Sequence, residues 1–278
     1  MSHASAAQIV RELLEGPVTR PALLRWRRRQ FLAKAGTSLY FGVFDSFAAA
    51  RERLPPSPEF NNEQLATEYV EVRTRQVFAY DYPVMWWLER AFRGGATSVL
   101  DIGGSVGVHY HAYRRYFEMP SNLTWHIIEV PAMVSIGCAL AAARGVKSLS
   151  FTDDLNRTIS SADADIWLSA GALHYLEDAR PADLLKRCFK QPMHLLLNKL
   201  PLCAGEDFVT TQNIGEGCFA PMHVFNGDRL IREVEAQGYT LRDRWKVYER
   251  SLYVPGHPER SFPFFTGLYF AGLANETR

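Results

Sequence analysis

The sequence has no apolar run long enough for a membrane span, and no basic start leading into an apolar stretch of the kind that marks a secretory leader. A cytoplasmic protein is the expectation. Cysteine is scarce: Cys138, Cys188, Cys203 and Cys218 are the only four, and none stands in Cys-x-x-Cys spacing. That argues against a zinc site or a disulfide framework and suits a reducing compartment. Net charge is also nearly absent, with 31 Lys+Arg against 30 Asp+Glu, or +1. Nucleic acid and membrane surfaces therefore find no global attraction, and the arginine-rich stretch 25–29 reads as a solvated helix face. There is no internal repeat and no low-complexity tract. No metal is expected, because the one close histidine pair, His109-x-His111, falls on a predicted helix, where i and i+2 do not share a face.

What is present organises around the stretch 97–107, Thr-Ser-Val-Leu-Asp-Ile-Gly-Gly-Ser-Val-Gly. An apolar, β-branched run predicts a buried parallel strand, and the glycine turn that follows opens a helix. Strand, glycine turn and helix make the first unit of a doubly wound nucleotide-binding sheet. A dinucleotide fingerprint would read G-x-G-x-x-G, but here Asp101 takes the first glycine position, giving D-x-G-G-x-x-G. A carboxylate there would repel a pyrophosphate. It suits a ligand with a cationic end and no phosphate, such as S-adenosylmethionine.

Residues 5–35 carry helical periodicity broken at Gly16-Pro17, and Gly36 ends the second helix. Asp45 or Ser46 can cap a short helix, 54–58 is a stiff proline linker, and 61–92 predicts one or two more helices with Pro83 as a break or kink. The aromatic residues Tyr80, Tyr82, Trp86 and Trp87 fit either a helix packed on the sheet or a lid. From Thr97 onward β and α segments alternate through five units, then two strand-like runs, 240–249 and 263–273, form a hairpin. The predicted fold is α/β: a seven-stranded, mostly parallel, doubly wound sheet with a C-terminal antiparallel hairpin and an N-terminal helical extension. The expected division is an extension or lid over residues 1–93 and a cofactor-binding domain over residues 94–278.

Ligands of such sheets bind beyond the carboxyl ends of the strands. Asp101 lies at the first strand end, Glu129 at the second and Asp153 at the third, with Asp154 as the alternate. Glu129 can accept from both ribose hydroxyls and Asp153 from an adenine amino group. Ser169 and Ala170, before Gly171, line up as the pocket floor at the fourth strand end.

With these residues in hand, the chain resembles a class I (Rossmann-like) SAM-dependent methyltransferase from about residue 92 onward. Within that class it is similar to a bacterial family of methyltransferases met among surface-polysaccharide and secondary-metabolite gene sets. The matching pieces are Phe41-Gly42-Val43, Leu100-Asp101-Ile102-Gly103-Gly104-Ser105 with Tyr110, and Glu129-Val130-Pro131. Leu173-His174-Tyr175-Leu176, Asn198-Lys199-Leu200-Pro201-Leu202 and His223-Val224-Phe225-Asn226 complete the set. At 174 the sequence departs from many relatives, which carry Gln.

The resemblance implies S-adenosylmethionine as cofactor, S-adenosylhomocysteine as product, and a cofactor set of Asp101, Gly103, Gly104, Ser105, Gly107, Tyr110, Glu129, Val130, Asp153, Asp154, Ser169 and Ala170. Tyr110 is expected to close over the methionine end. Methyl transfer needs an in-line acceptor and is helped by a base near neutrality. His174 and His223 are the candidate bases, and Tyr175, Lys199 and Trp86 the candidate acceptor contacts. The acceptor is expected to be a small molecule or glycan precursor, methylated at oxygen, and a homodimer stays open. A catalytically silent SAM-binding or partner-binding module is the competing reading. A nicotinamide oxidoreductase is a third, which Asp101 argues against.

Overall fold

The computed structural model describes residues 19–34, 37–64 and 69–272. The expected first helix, the Gly16-Pro17 break and the Gly36 stop lie outside those residues. Helix α1 (Arg20–Phe31) has Pro21 in its first turn and presents Arg25, Arg28 and Arg29 to solvent. Strand β1 (Thr37–Phe44) follows, then α2 (Phe47–Arg51), whose Ser46 cap accepts from Ala49 N–H at 3.1 Å. A π-helical turn covers Tyr69–Arg73, and α3 spans Tyr82–Arg93. Pro83 stands at the start of α3, where its missing N–H costs nothing, so it opens a helix and does not kink one.

The regular alternation then runs β2 (Ser98–Ile102), α4 (Val108–Tyr113), β3 (Thr124–Ile128), α5 (Pro131–Ala143), β4 (Leu149–Thr152) and α6 (Leu155–Ser161). It continues with β5 (Ile166–Ala170), α7 (Pro181–Arg187), β6 (His194–Leu200) and the short β7 (Leu202–Cys203). Strands β8 (Phe208–Gly215) and β9 (Cys218–Asn226), helix α8 (Gly227–Glu235), and strands β10 (Tyr239–Val247) and β11 (Phe265–Gly272) finish it. The Asn226 side chain caps α8, accepting from Arg229 N–H at 2.7 Å.

The main sheet has seven strands in the order β10-β11-β6-β5-β2-β3-β4. The five strands from β6 to the β4 edge are parallel, while β11 runs antiparallel to β6 and to β10. Alternate residues feed two cores, as the period of a strand requires. Leu100, Ile102 and Trp167 pack with Leu184, Leu185, Leu230 and Val234 of α7 and α8. Val99, Ile166 and Leu168 face the other way, against Val84 and Leu88 of α3 and Tyr113 of α4. Asp165 ties the amino ends of β2 and β5, accepting from Thr97 N–H (2.8 Å), Ser98 N–H (3.1 Å) and the Ser98 hydroxyl (2.8 Å).

A second sheet, β1-β8-β9-β7, was not among the expected elements. The stretch Thr210-Thr211-Gln212-Asn213 is the middle of β8. Its hydroxyls are buried and bonded across to β1: Thr210 donates to Gly42 O at 2.7 Å and Thr211 to Phe41 O at 2.6 Å. The β8–β9 turn is Glu216-Gly217, both at positive φ, 52° and 75°. That is the twist a two-residue hairpin needs. This sheet stands beside the carboxyl ends of the main one and supplies a wall of the site. Among the described residues no helix is long and apolar enough to cross a membrane.

Candidate active site

Strand order reverses at β2: β3 and β4 lie on one side of it, β5, β6 and β11 on the other. Ligands bind at such switch points. The carboxyl ends of the parallel strands here meet a cavity of about 550 Å³, inside the range of about 300–1,000 Å³ usual for small-molecule sites.

The turn after β2 is set by what lies behind it. Gly103 takes φ 76°, and a Cβ there would stand 2.0 Å from the Ala172 side chain, so glycine lets this turn close on the loop after β5. Gly104 is needed for a different reason: a Cβ would stand 2.5 Å from the Asp101 carboxylate. Asp101 is wholly buried beneath the turn, where Oδ2 accepts from His109 Nδ1 at 2.8 Å and Trp125 Nε1 at 3.1 Å. It therefore braces the turn from behind and does not line the cavity, contrary to expectation. Its Oδ1 is buried with no hydrogen-bond partner among the described residues.

Glu129 does line the cavity, at the tip of β3. Its Oε1 accepts from Ser105 N–H at 3.0 Å and its Oε2 from Val130 N–H at 2.9 Å. Burial pushes its carboxyl up to about 7, against the pull of those two N–H groups. Gly103, Gly104, Ser105 and Val130 line the same half, with exposed Asp153 at the edge. Asp154 does something else: its Oδ1 caps α6 through Arg157 N–H at 2.9 Å.

On the other side of β2, Ala170, His174, Tyr175 and Lys199 line the cavity. Beneath them the Ser169 hydroxyl is turned inward and donates to Ile102 O at 2.8 Å, so it fixes β5 to β2 and is not floor. His174 is 2% exposed, and its Nδ1 has no partner among the described residues. Burial, reinforced by the charges of Lys199 and Arg250, pushes its imidazole down to about 3. Lys199 is held in left-handed backbone, φ 57°, with its N–H bonded to Asn198 Oδ1 at 3.0 Å. Asn198 is in turn fixed by Trp245 Nε1 at 3.1 Å and by Tyr80 O at 3.0 Å. Burial lowers the Lys199 ammonium to about 8, Asp81 opposing and Arg250 and Arg73 adding to the effect.

The remaining expected site residues lie off the cavity. Gly107, φ 90°, starts α4 with Leu149 and His111 behind it. Tyr110 points to the opposite face of α4 and accepts from the Ser148 hydroxyl at 2.9 Å, so it cannot cover a bound cofactor. His223 sits on β9 against the Phe47 ring, 4.5 Å between centroids, with its Nε2 donating to Glu177 O at 3.0 Å. His223 does not line the cavity. Trp86 is 56% exposed on the outer face of α3. Trp87 packs on Tyr269 instead, at 4.0 Å, and donates to Asp243 at 2.7 Å.

Sequence reasoning also missed a wall. Tyr40, Phe78, Tyr80, Gln212, Arg73 and Arg250 all face the cavity. They come from β1, β8, the segment before α3 and the β10–β11 connection; of these residues only Tyr80, read as part of an aromatic lid or packed helix, had been singled out. Phe78 and Tyr80 stack at 5.3 Å, and Tyr175 is held edge-on to Phe60 at 4.6 Å and by its hydroxyl to Gln212. Among the described residues no group of three His, Cys, Asp or Glu side chains could hold a metal ion.

No family model matches the chain, and no curated protein matches it in sequence. Solved structures of related shape include the 1,6-didemethyltoxoflavin-N1-methyltransferase of Burkholderia thailandensis, bound to 1,6-didemethyltoxoflavin and S-adenosylhomocysteine. It is 17% identical at TM-score 0.47, over 75% of this chain and 85% of that one. The CcbJ methyltransferase of Streptomyces caelestis is 13% identical at TM-score 0.49, over 77% and 98%. The mitomycin 7-O-methyltransferase MmcR is 18% identical at TM-score 0.44, over 98% and 73%. At these identities and TM-scores the likeness carries no functional weight.

Proposed function

We propose that this protein is a SAM-dependent methyltransferase acting on a small molecule, with oxygen as the acceptor atom. Glu129 is the observation that carries the reading. Two backbone N–H donors hold it facing the cavity, leaving acceptor sites open there. Adjacent ribose hydroxyls fill such sites. A carboxylate held this way at the strand end fits a ligand that brings paired hydroxyl donors and no phosphate at that point. The seven-stranded, mostly parallel sheet with antiparallel β10 and β11 is also the fold expected with resemblance to class I methyltransferases.

When bound, S-adenosylmethionine supplies an electrophilic methyl on a sulfonium. Around it, Glu129 would take the ribose hydroxyls, Asp153 the adenine amino group, and the turn from Gly103 to Ser105 the methionine end. Across β2, His174, Tyr175 and Lys199 would orient the acceptor. His174 is unprotonated at neutral pH, as a base must be, and its ring on the cavity wall would take the acceptor's proton. Orientation is worth on the order of 7–11 kcal/mol and general-base help about 10²–10⁴-fold. In this reading residues 94–278 form the cofactor-binding domain and residues 1–93 its cover, which Tyr40, Phe60 and Tyr80 on the cavity wall support.

Calorimetry with S-adenosylhomocysteine tests the assignment. Wild type should bind, and Glu129→Ala, losing two charge-assisted hydrogen bonds, should bind about a hundredfold more weakly or not at all. Absent binding, or equal binding by both proteins, would contradict it.

A further inference from the structure

The two halves of the cavity carry opposite charge. Glu129 and Asp153 stand beyond β3 and β4, while Lys199 stands at the end of β6 and Arg250 beyond β10, with Arg73 entering from the π-helical turn. The Arg250 guanidinium has no side-chain hydrogen bond or ion pair among the described residues, yet it lies close enough to shift both His174 and Lys199. The Lys199 ammonium rests 5.0 Å from the centre of the Tyr80 ring and has no carboxylate bonded to it. The carboxylate on this side is Asp81, already engaged by the Tyr113 hydroxyl at 2.9 Å and Phe78 N–H at 2.9 Å. Like charges held together in a low-dielectric cavity repel one another unless an anion joins them. The ring of His174, whose buried Nδ1 has no partner among the described residues, lines the same space.

The walls between these charges are rings. Phe78 and Tyr80 lie nearly parallel, 10° apart, and Phe60 meets Tyr175 edge to face. Such surfaces take a flat ring by offset stacking or edge contact. A sugar would instead want a dense set of side-chain donors and acceptors.

We infer that the ligand of this half is a hydroxylated aromatic acid, whose carboxylate is held by Arg250 and Lys199 and whose ring lies among Phe60, Phe78, Tyr80 and Tyr175. It rests on the methyltransferase reading only in that this ligand would be the methyl acceptor. Its hydroxyl then faces His174 while its carboxylate neutralises the cations that depress the imidazole, so binding itself makes His174 a better proton acceptor. The positive half also draws the acid in and rejects its neutral ester.

The test is a calorimetric panel of 4-hydroxybenzoate, 4-coumarate and 6-hydroxy-2-naphthoate, each against its methyl ester, with glucose 1-phosphate alongside. At least one acid should bind tighter than its ester by about tenfold to a hundredfold, the span of one to two charged hydrogen bonds. In Arg250→Met and Lys199→Met that ratio should fall toward one, and Arg250→Lys should keep part of it. Each variant should still bind the ester as wild type does, which separates loss of the charged contact from loss of folding. The inference is overturned if no acid outbinds its ester, if the ratio survives both methionine variants, or if glucose 1-phosphate outbinds every aromatic acid. S-adenosylhomocysteine titrated into the same protein separates the two claims. Silence there with acid preference intact removes the methyltransferase reading alone, and its binding without acid preference removes this inference alone.

Discussion

Replacing Glu129 by Gln should make the folded protein less sensitive to alkali. The carboxyl is pushed from its ordinary 4.5 up to about 7 by burial. A group raised in the folded state contributes stability that is full below the unfolded pKa and is lost as pH climbs through the folded one. Each unit is worth about 1.4 kcal/mol, so ionising Glu129 in place costs the folded state about 3 kcal/mol, of which about 2.5 falls between pH 5 and pH 8. The glutamine amide cannot accept from both Ser105 and Val130 N–H, and that mismatch has its own cost. It is independent of pH, however, and cancels when the two pH values are compared. Urea unfolding of both proteins at pH 5 and pH 8 should therefore show the stability difference moving by about 1–2.5 kcal/mol in favour of Gln at the higher pH, the lower figure applying where cavity water reaches the carboxylate. In melting temperature that is roughly 5 °C. Saturating S-adenosylhomocysteine should flatten the wild-type dependence, because ribose hydroxyls stabilise the ionised form. A difference that does not move with pH would refute the placement of this carboxylate in a dry, ligand-ready pocket.

Gly104→Ala should destabilise by about 1–3 kcal/mol through overpacking on Asp101, and the double variant with Asp101→Ala should recover part of it, read by denaturant midpoints. Asp165→Asn should cost about 2 kcal/mol at neutral pH through its charged hydrogen bonds to Thr97 and Ser98. Although burial alone would raise that carboxyl, those bonds hold it below its usual range. Its contribution is thus present at neutral pH and lost on acidification through the folded pKa, so the two melting curves should converge in acid. Once an acceptor is in hand, His174→Ala should lower turnover about 10²–10⁴-fold, while His223→Ala should leave it within a few-fold, since His223 faces Phe47 and Glu177.

The alternating half of the fold was legible because its signals are local. β-Branched runs closed by Gly or Pro marked the parallel strands, and of the two candidate caps, Asp45 and Ser46, it is Ser46 that caps α2. The second sheet was hidden because its evidence is not local. Thr210 and Thr211 are polar residues whose hydroxyls bond to a strand about 170 positions away, and Glu216 is an unusual residue for left-handed backbone in a hairpin turn. At the site, a strand-tip position was enough to single out Glu129. It could not tell which way Asp101 turns, because that depends on His109 and Trp125 closing over it from different elements. Arg250 carried no motif, and only the β10–β11 connection brings it beside Lys199.

A crystal structure of the S-adenosylhomocysteine complex tests the central claim most directly. The ribose hydroxyls should donate to Glu129, with the sulfur facing across β2 toward His174 and Lys199. A ligand bound away from the β2 carboxyl end, or a ribose that leaves Glu129 bonded only to Ser105 and Val130, would contradict it.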